Sequence, residues 1–338
     1  MKRLDAKTSD LFILEKHIGI IPISVYYICG GDYMNYMSTK EASKKWNITD
    51  RRIRVLLNEN RIDGAVKVGR NWMIPSDITK PIDLRAKRNS NFLGLDLDFK
   101  EVDRLKKIID SKRPLDKNTV LSLKENVILS WTYNSNAIEG STLTLSETKV
   151  VLEGITIGGK SVIEHLEVIN HKEAILFLDS LVEDDKALSE WDIKTIHAII
   201  LKNIDDEFAG RYRMSNVIIS GASHVPPRYE QLDPLMEEMI YDYNNVWTKY
   251  HPIVQAALLH GEFVKIHPFV DGNGRTARLL LNLVLIKNGY PPVIIKKEDR
   301  LEYYESLDLA HTKKEYSKFI NLIVKLVNEI SSHWISLI

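Results

Sequence analysis

The sequence predicts a mainly α fold: a helical bundle carrying a small β-hairpin, preceded by a smaller unit with two helices and a hairpin of its own. Three observations predict it. Apolar side chains recur at helical spacing over 97–112 and 118–134, with Pro114 between the two runs. From Leu279 to Ile286 they occur on every side, which asks for a central, buried helix. Short β-branched stretches beside glycine turns appear at 62–75 and 210–227, and each reads as a hairpin.

In chain order, residues 1–35 form a poorly defined segment. The apolar run Ile18 to Cys29 is too short to span a bilayer and is broken by Pro22. Asp5, Asp10 and Glu15 mix acidic charge into the approach and no small-residue cleavage site follows, unlike a signal peptide, and Met34 or Met37 is a candidate start. Residues 36–83 change texture. Ser38 to Trp46 reads as a capped helix, Thr49 to Leu57 as a second helix and Ile62 to Pro75 as a hairpin, with Arg51, Arg52, Arg54, Lys67 and Arg70 on the exposed faces. A polar linker, 84–94, leads into the main domain, 95–338, where Thr144 to Glu147 and Ser189 to Asp192 look like capping boxes.

The 338 residues carry 46 basic and 46 acidic side chains, so nothing in the whole-molecule charge calls for nucleic acid or membrane. One cysteine, Cys29, excludes an internal disulfide and points to a reducing, cytoplasmic setting.

The chemistry concentrates in His267-Pro268-Phe269-Val270-Asp271-Gly272-Asn273-Gly274-Arg275-Thr276-Ala277-Arg278. Gly272 and Gly274 let main-chain amides face an anion, and the helix that follows offers its N-terminal donors and positive dipole end. Arg275 and Arg278, three apart, suit a polyphosphate clamp. Asp271 is a hard oxygen ligand, and Mg²⁺ bound to phosphates usually takes only one or two protein carboxylates; His267 can act as a base near neutral pH.

This run resembles the signature of Fic-domain proteins at every defined position, and the resemblance covers about residue 95 to the C-terminus. It implies transfer of AMP from ATP to a Ser, Thr or Tyr hydroxyl of a protein, this chain included. His267 would deprotonate the hydroxyl and Asp271 would hold Mg²⁺. Gly272, Asn273 and Gly274 would cradle the α- and β-phosphates, with Arg275 and Arg278 at the β/γ end. Glycine at 274 favours AMP transfer; relatives resembling the Doc toxins carry lysine there and move the γ-phosphate.

Ser135 and Glu139, four apart at the end of a helix stopped by Gly140, lie on one helical face. The segment 131–140 resembles the inhibitory signature of the family class with an N-terminal inhibitory helix, which implies that Glu139 pairs with Arg278 and holds the enzyme off. The predicted 210–227 hairpin resembles the family's flap, with Val217, Ile218, Ile219 and His224 as target-docking residues; a plain surface hairpin is the alternative. Tyr303 and Tyr304 fall where relatives contact adenine, one of the pair facing the core, and His311 stands where some relatives have Asn. Residues 36–83 resemble the winged helix-turn-helix of excisionase and MerR-type proteins, which implies DNA as a partner, with protein docking as the alternative. A DNA-binding regulator with a nucleotide-sensing domain, and a de-adenylylating hydrolase dependent on Glu139, remain alternatives to the transferase; a homo-oligomer is left open.

Overall fold

The computed structural model describes residues 25–29, 32–46, 48–58, 61–81, 97–184 and 186–338, with side chains from 35 onward. The run 18–24, most of the first 35 residues and the predicted linker lie outside the described residues. The contacts divide the chain into two units, 1–83 and 84–338.

The first unit holds a four-stranded sheet in the order β1-β2-β4-β3, with β1 Val25–Cys29, β2 Asp32–Ser38, β3 Val66–Val68 and β4 Asn71–Pro75. All three pairings are antiparallel, and β1 carries the sheet upstream of the expected start at 36. Between β2 and β3 lie α1, Thr39–Trp46, and α2, Asp50–Asn58. The β3–β4 hairpin turns through Gly69, whose φ of +61° is the left-handed conformation such a turn needs. Met37, Ala42, Trp46, Ile53, Leu56, Leu57, Ile62 and Ile74 close a small core beneath the two helices. Arg51, Arg54, Lys67 and Arg70 are exposed and Arg52 is half-buried.

In the second unit ten α-helices are described: α3 Lys100–Ser111, α4 Lys117–Ile138, α5 Leu145–Leu152, α6 Val162–Glu183, α7 Glu190–Leu201, α8 Leu232–Asn245, α9 Pro252–Ile266, α10 Asn273–Lys287, α11 Arg300–Lys313 and α12 Ser317–Leu337. Local chemistry sets their ends. Asp116 caps α4 through the amides of Asn118 and Thr119, and the predicted capping boxes at Thr144 and Ser189 are both formed, as is a third at Ser161. Helix α4 runs past the periodic stretch that ends at 134, through Ile138, and stops at the expected Gly140, whose φ is +109°.

The α9–α10 pair forms the centre, as the all-round apolar run requires. Leu279, Leu280, Val284 and Leu285 are fully buried, and α4, α6, α7 and α9 pack around α10. On the outer side α12 packs against α3, α9 and α11.

One expectation fails. Among residues 211–228 no strand is formed, so the predicted hairpin is a loop. Its main chain is held by side chains instead of by a ladder. Arg213 takes the carbonyls of Ser215 and Pro227, Asn216 accepts from the amide of Tyr229, and Asp308 accepts from the amides of Ser223 and His224. Pro226 and Pro227 have no N–H to give to a partner strand.

Candidate active site

Helix α9 ends on His267, a left-handed residue with φ 50° and ψ 59°, and the chain then turns through 268–272 into α10. Phe269 anchors this turn in the core. Its ring stacks on His197 at 3.5 Å, and its main chain is clasped by Asn273, which accepts from the Phe269 amide at 3.0 Å and donates to the Phe269 carbonyl at 2.9 Å. The Asn273 amide side chain therefore shapes the turn and is not turned out toward a phosphate. Gly272 has φ +74°, and a Cβ there would come within 3.2 Å of His197. Thr276 is the first residue of the turn to bond back, to the Gly272 carbonyl at 3.0 Å, and the amides ahead of it are the open donors of a helix N-terminus.

The two arginines, one turn apart, face different partners. Arg278 is 4% exposed; it donates through Nε to Ser135 Oγ at 3.0 Å and through Nη2 to the Ser135 carbonyl at 2.9 Å and Glu139 Oε1 at 2.7 Å. Ser135 and Glu139, on one helical face, thus both meet Arg278. Gly274 lies directly beneath this pair: a Cβ would overlap the Glu139 carboxylate and sit 3.0 Å from Arg278 Nη1. Arg275 is 2% exposed and bridges two carboxylates, Glu167 Oε1 at 2.8 Å and Asp271 Oδ2 at 2.9 Å. Burial raises the Glu167 pKa above its ordinary value against the pull of Arg275. Asp271 keeps 70% of its side chain in solvent.

Burial holds the His267 imidazole down at about 4; Arg213 assists, while the Val264 carbonyl, Glu139 and Asp271 oppose. The ring is neutral at pH 7 and so has a free lone pair. His197 is buried and also held at about 4, chiefly by burial. Its tautomer follows from its partners: Nδ1 accepts from the Gly210 amide at 2.9 Å, so Nε2 carries the hydrogen and donates to the Asp271 carbonyl at 2.8 Å.

Of the two tyrosines, Tyr303 faces the core, with its hydroxyl 2.9 Å from His260 Nε2, and Tyr304 is 40% exposed with the Arg300 guanidinium 5.3 Å from its ring. His311 is buried against the Gly261 carbonyl at 2.9 Å. In the 211–228 loop Ile218 is 85% exposed, Val217 and Ile219 are half-buried, and His224 reaches the Lys265 carbonyl at 2.9 Å. Three residues that motif reading passed over stand around the turn: Glu167, His197 and Arg213. Each acts on main chain or on another charge at long sequence separation, which no short spacing signals.

A glycine thus opens a helix N-terminus in a helical fold, with one buried arginine under a carboxylate and another between two. The Fic/DOC family profile matches residues 187–285. The chain is 44% identical over 187 residues to the protein adenylyltransferase Fic of Nematostella vectensis, covering 53% of this chain and 42% of that protein. To protein adenylyltransferase fic-1 of Caenorhabditis elegans it is 42% identical over 186 residues, covering 54% and 36%. The chain thus spans about four tenths of the length of these curated relatives. A solved fragment of Fic-1 from Caenorhabditis elegans superposes with TM-score 0.64 at 33% identity, covering 70% of this chain and 71% of that one. A Fic-domain signaling protein from Bacteroides thetaiotaomicron gives 0.65 at 29% identity, covering 70% and 97%. The chain belongs to the Fic/DOC family.

Proposed function

We propose that this chain is a protein adenylyltransferase, transferring AMP from ATP to a hydroxyl side chain of a protein, and that Glu139 holds it off. The observation that carries the reading is the Glu139–Arg278 pair, 2.7 Å apart over Gly274, beside an open helix N-terminus and a neutral histidine. The names of its 38–44% identical relatives support the same reaction.

The amides at the start of α10 bind the phosphates, and Arg278 takes the terminal phosphate once Glu139 has left it. His267 removes the proton of the target hydroxyl; the oxygen bonds to the α-phosphorus, and pyrophosphate leaves with the bridging electron pair. The anionic triphosphate raises the imidazole pKa from its depressed value, moving the base toward working pH. Asp271 fits a Mg²⁺ that arrives on the nucleotide: Arg275 fixes one carboxylate oxygen while the side chain stays exposed. When bound there, the ion would offset phosphate charge. Arg275 serves by holding Asp271 against Glu167, and Asn273 by holding the turn. Tyr304 meets the base, with Tyr303 as its buried support. Ile218 and its neighbours meet the target along an extended loop.

The test is Mg²⁺-dependent transfer of label from α-labelled ATP onto host-lysate protein and onto the chain itself. Wild type, Glu139→Gly and Glu139→Gly/His267→Ala are compared. Strong labelling by Glu139→Gly alone is expected; absence of label from all three defeats the transferase reading.

Residues 36–83 carry a second, separate reading as a winged helix-turn-helix that binds DNA. What favours it is the exposed set of Arg51 and Arg54 on α2 with Lys67 and Arg70 on the hairpin. Fluorescence anisotropy of labelled duplex DNA across a salt series tests it: binding that weakens with salt and is lost on Arg51→Ala/Lys67→Ala supports it, and no binding at low salt ends it.

A further inference from the structure

A residue with a Cβ seldom stays in the left-handed region unless its surroundings over-determine it, and His267 is such a residue. One handle is its amide, which donates to the Phe263 carbonyl at 3.0 Å. The other is its carbonyl, which accepts from Arg213 Nε at 2.9 Å, while the Arg213 main-chain amide takes the next carbonyl, Pro268, also at 2.9 Å. The far side of the same guanidinium donates to the Ser215 carbonyl at 2.7 Å and the Pro227 carbonyl at 2.6 Å, the two ends of the exposed loop. Each of these bonds ends on a main-chain carbonyl, and the Arg213 side chain is almost completely buried. Only a planar fork with several fixed N–H directions can join two segments in this way; an ammonium cannot.

We propose that Arg213 is a positioning residue: it fixes the His267 backbone and ties it to the 215–227 loop, so that a target segment docking on that loop sets the catalytic base. The inference rests on the transferase reading for what the base does, but the link itself rests on the hydrogen bonds. The loop is suited to receive a target, because Ile218 and Val225 are exposed on it, as is Met214 just before it. Its tip is held separately, by Asp308 under the amides of Ser223 and His224 and by His224 on the Lys265 carbonyl. Carbonyl partners leave the Arg213 charge unneutralised beside the imidazole, where it adds to burial; Glu139 and Asp271 act in the opposite sense.

The experiment uses the full chain carrying Glu139→Gly, alone and with Arg213→Lys, Arg213→Gln or Asp308→Asn. Two quantities are read: the titration of the ¹⁵N-labelled His267 imidazole, assigned by its loss in His267→Ala, and the initial rate of label transfer from α-labelled ATP to lysate protein across ATP concentrations. Arg213→Lys keeps the charge and loses the fork, so the maximal rate falls about tenfold or more, the KM for ATP stays within about twofold, and the titration barely moves. Arg213→Gln loses both, so the rate falls and the titration midpoint rises by about half a pH unit or more. Asp308→Asn loosens the loop tip and leaves the titration in place. Unchanged rate in Arg213→Lys, or an unmoved titration in Arg213→Gln, overturns the proposal. If Arg213→Gln does not fold, Arg213→Lys decides. If the Glu139→Gly parent labels nothing, the transferase reading fails, while the titration still judges the link.

Discussion

Replacing Glu139 by glycine should destabilise the nucleotide-free protein and make it respond more strongly to ATP. Breaking a fully buried ion pair by removing one partner costs about 3–5 kcal/mol, because the remaining charge is stranded. Arg278 is buried, but Glu139 keeps 32% of its side chain in water, so solvent reaches the site and about 2 kcal/mol is the better figure. Glycine at a helix end adds roughly 0.5 kcal/mol of chain entropy, for a total near 2.5 kcal/mol. For a unit of this size that lowers the melting midpoint by about 5–10 °C. Saturation with ATP and Mg²⁺ at about 100 times Kd returns roughly 2.7 kcal/mol in the variant. In wild type the triphosphate must first displace Glu139, so the return is smaller by about the 2 kcal/mol of the pair. Differential scanning calorimetry with and without ATP measures both quantities. If the variant melts with wild type, or if ATP raises the two midpoints equally, Glu139 is not what occupies Arg278 and the inhibitory reading falls.

Further outcomes follow from the same geometry. Gly274→Ala should cost about 1–2 kcal/mol in wild type and much less in the Glu139→Gly background, because the new Cβ overlaps the Glu139 carboxylate; a double-mutant cycle on denaturant midpoints reads the coupling, and additivity would contradict it. Acid should unfold the protein steeply. Burial holds His171 at about 3 and His197, His267 and His311 at about 4, so these rings are neutral in the fold. Their contribution is full above the unfolded value near 6.5 and is lost as pH falls from there toward 4, at up to about 1.4 kcal/mol per pH unit each. Glu167, with its raised pKa, works the other way as a single group. Denaturant melts that stay flat between pH 7 and 5 would show that these rings are hydrated. Tyr303→Phe should cost about 1–2 kcal/mol by leaving His260 Nε2 unpartnered in the core, whereas Tyr304→Ala should leave stability within about 0.5 kcal/mol and weaken ATP binding, as calorimetric titration would register.

The amino-acid sequence determined the features that depend on neighbours a few residues apart. The apolar run of α10 demanded a buried central helix, Gly272 and Gly274 marked the turn before it, the Thr144 and Ser189 boxes set two helix starts, and the Ser135–Glu139 spacing put both on one face of α4. The same local logic misread 210–227. A β-branched run beside glycine satisfies strand preference, but whether a ladder forms depends on what else claims the backbone, and Arg213, Asn216 and Asp308 claim it here. Apart from the Glu139–Arg278 pair, which the family resemblance implied, tertiary structure decided which charges meet. Arg275 and Arg278 look alike in the motif, yet one bridges Glu167 and Asp271 while the other is held by Ser135 and Glu139, 143 and 139 residues away in sequence. Likewise His197 grips Asp271 across 74 residues and Arg213 grips His267 across 54. A side chain's reach is a few ångströms in space, and only the folded packing of α4, α6, α7 and α10 brings those partners within it.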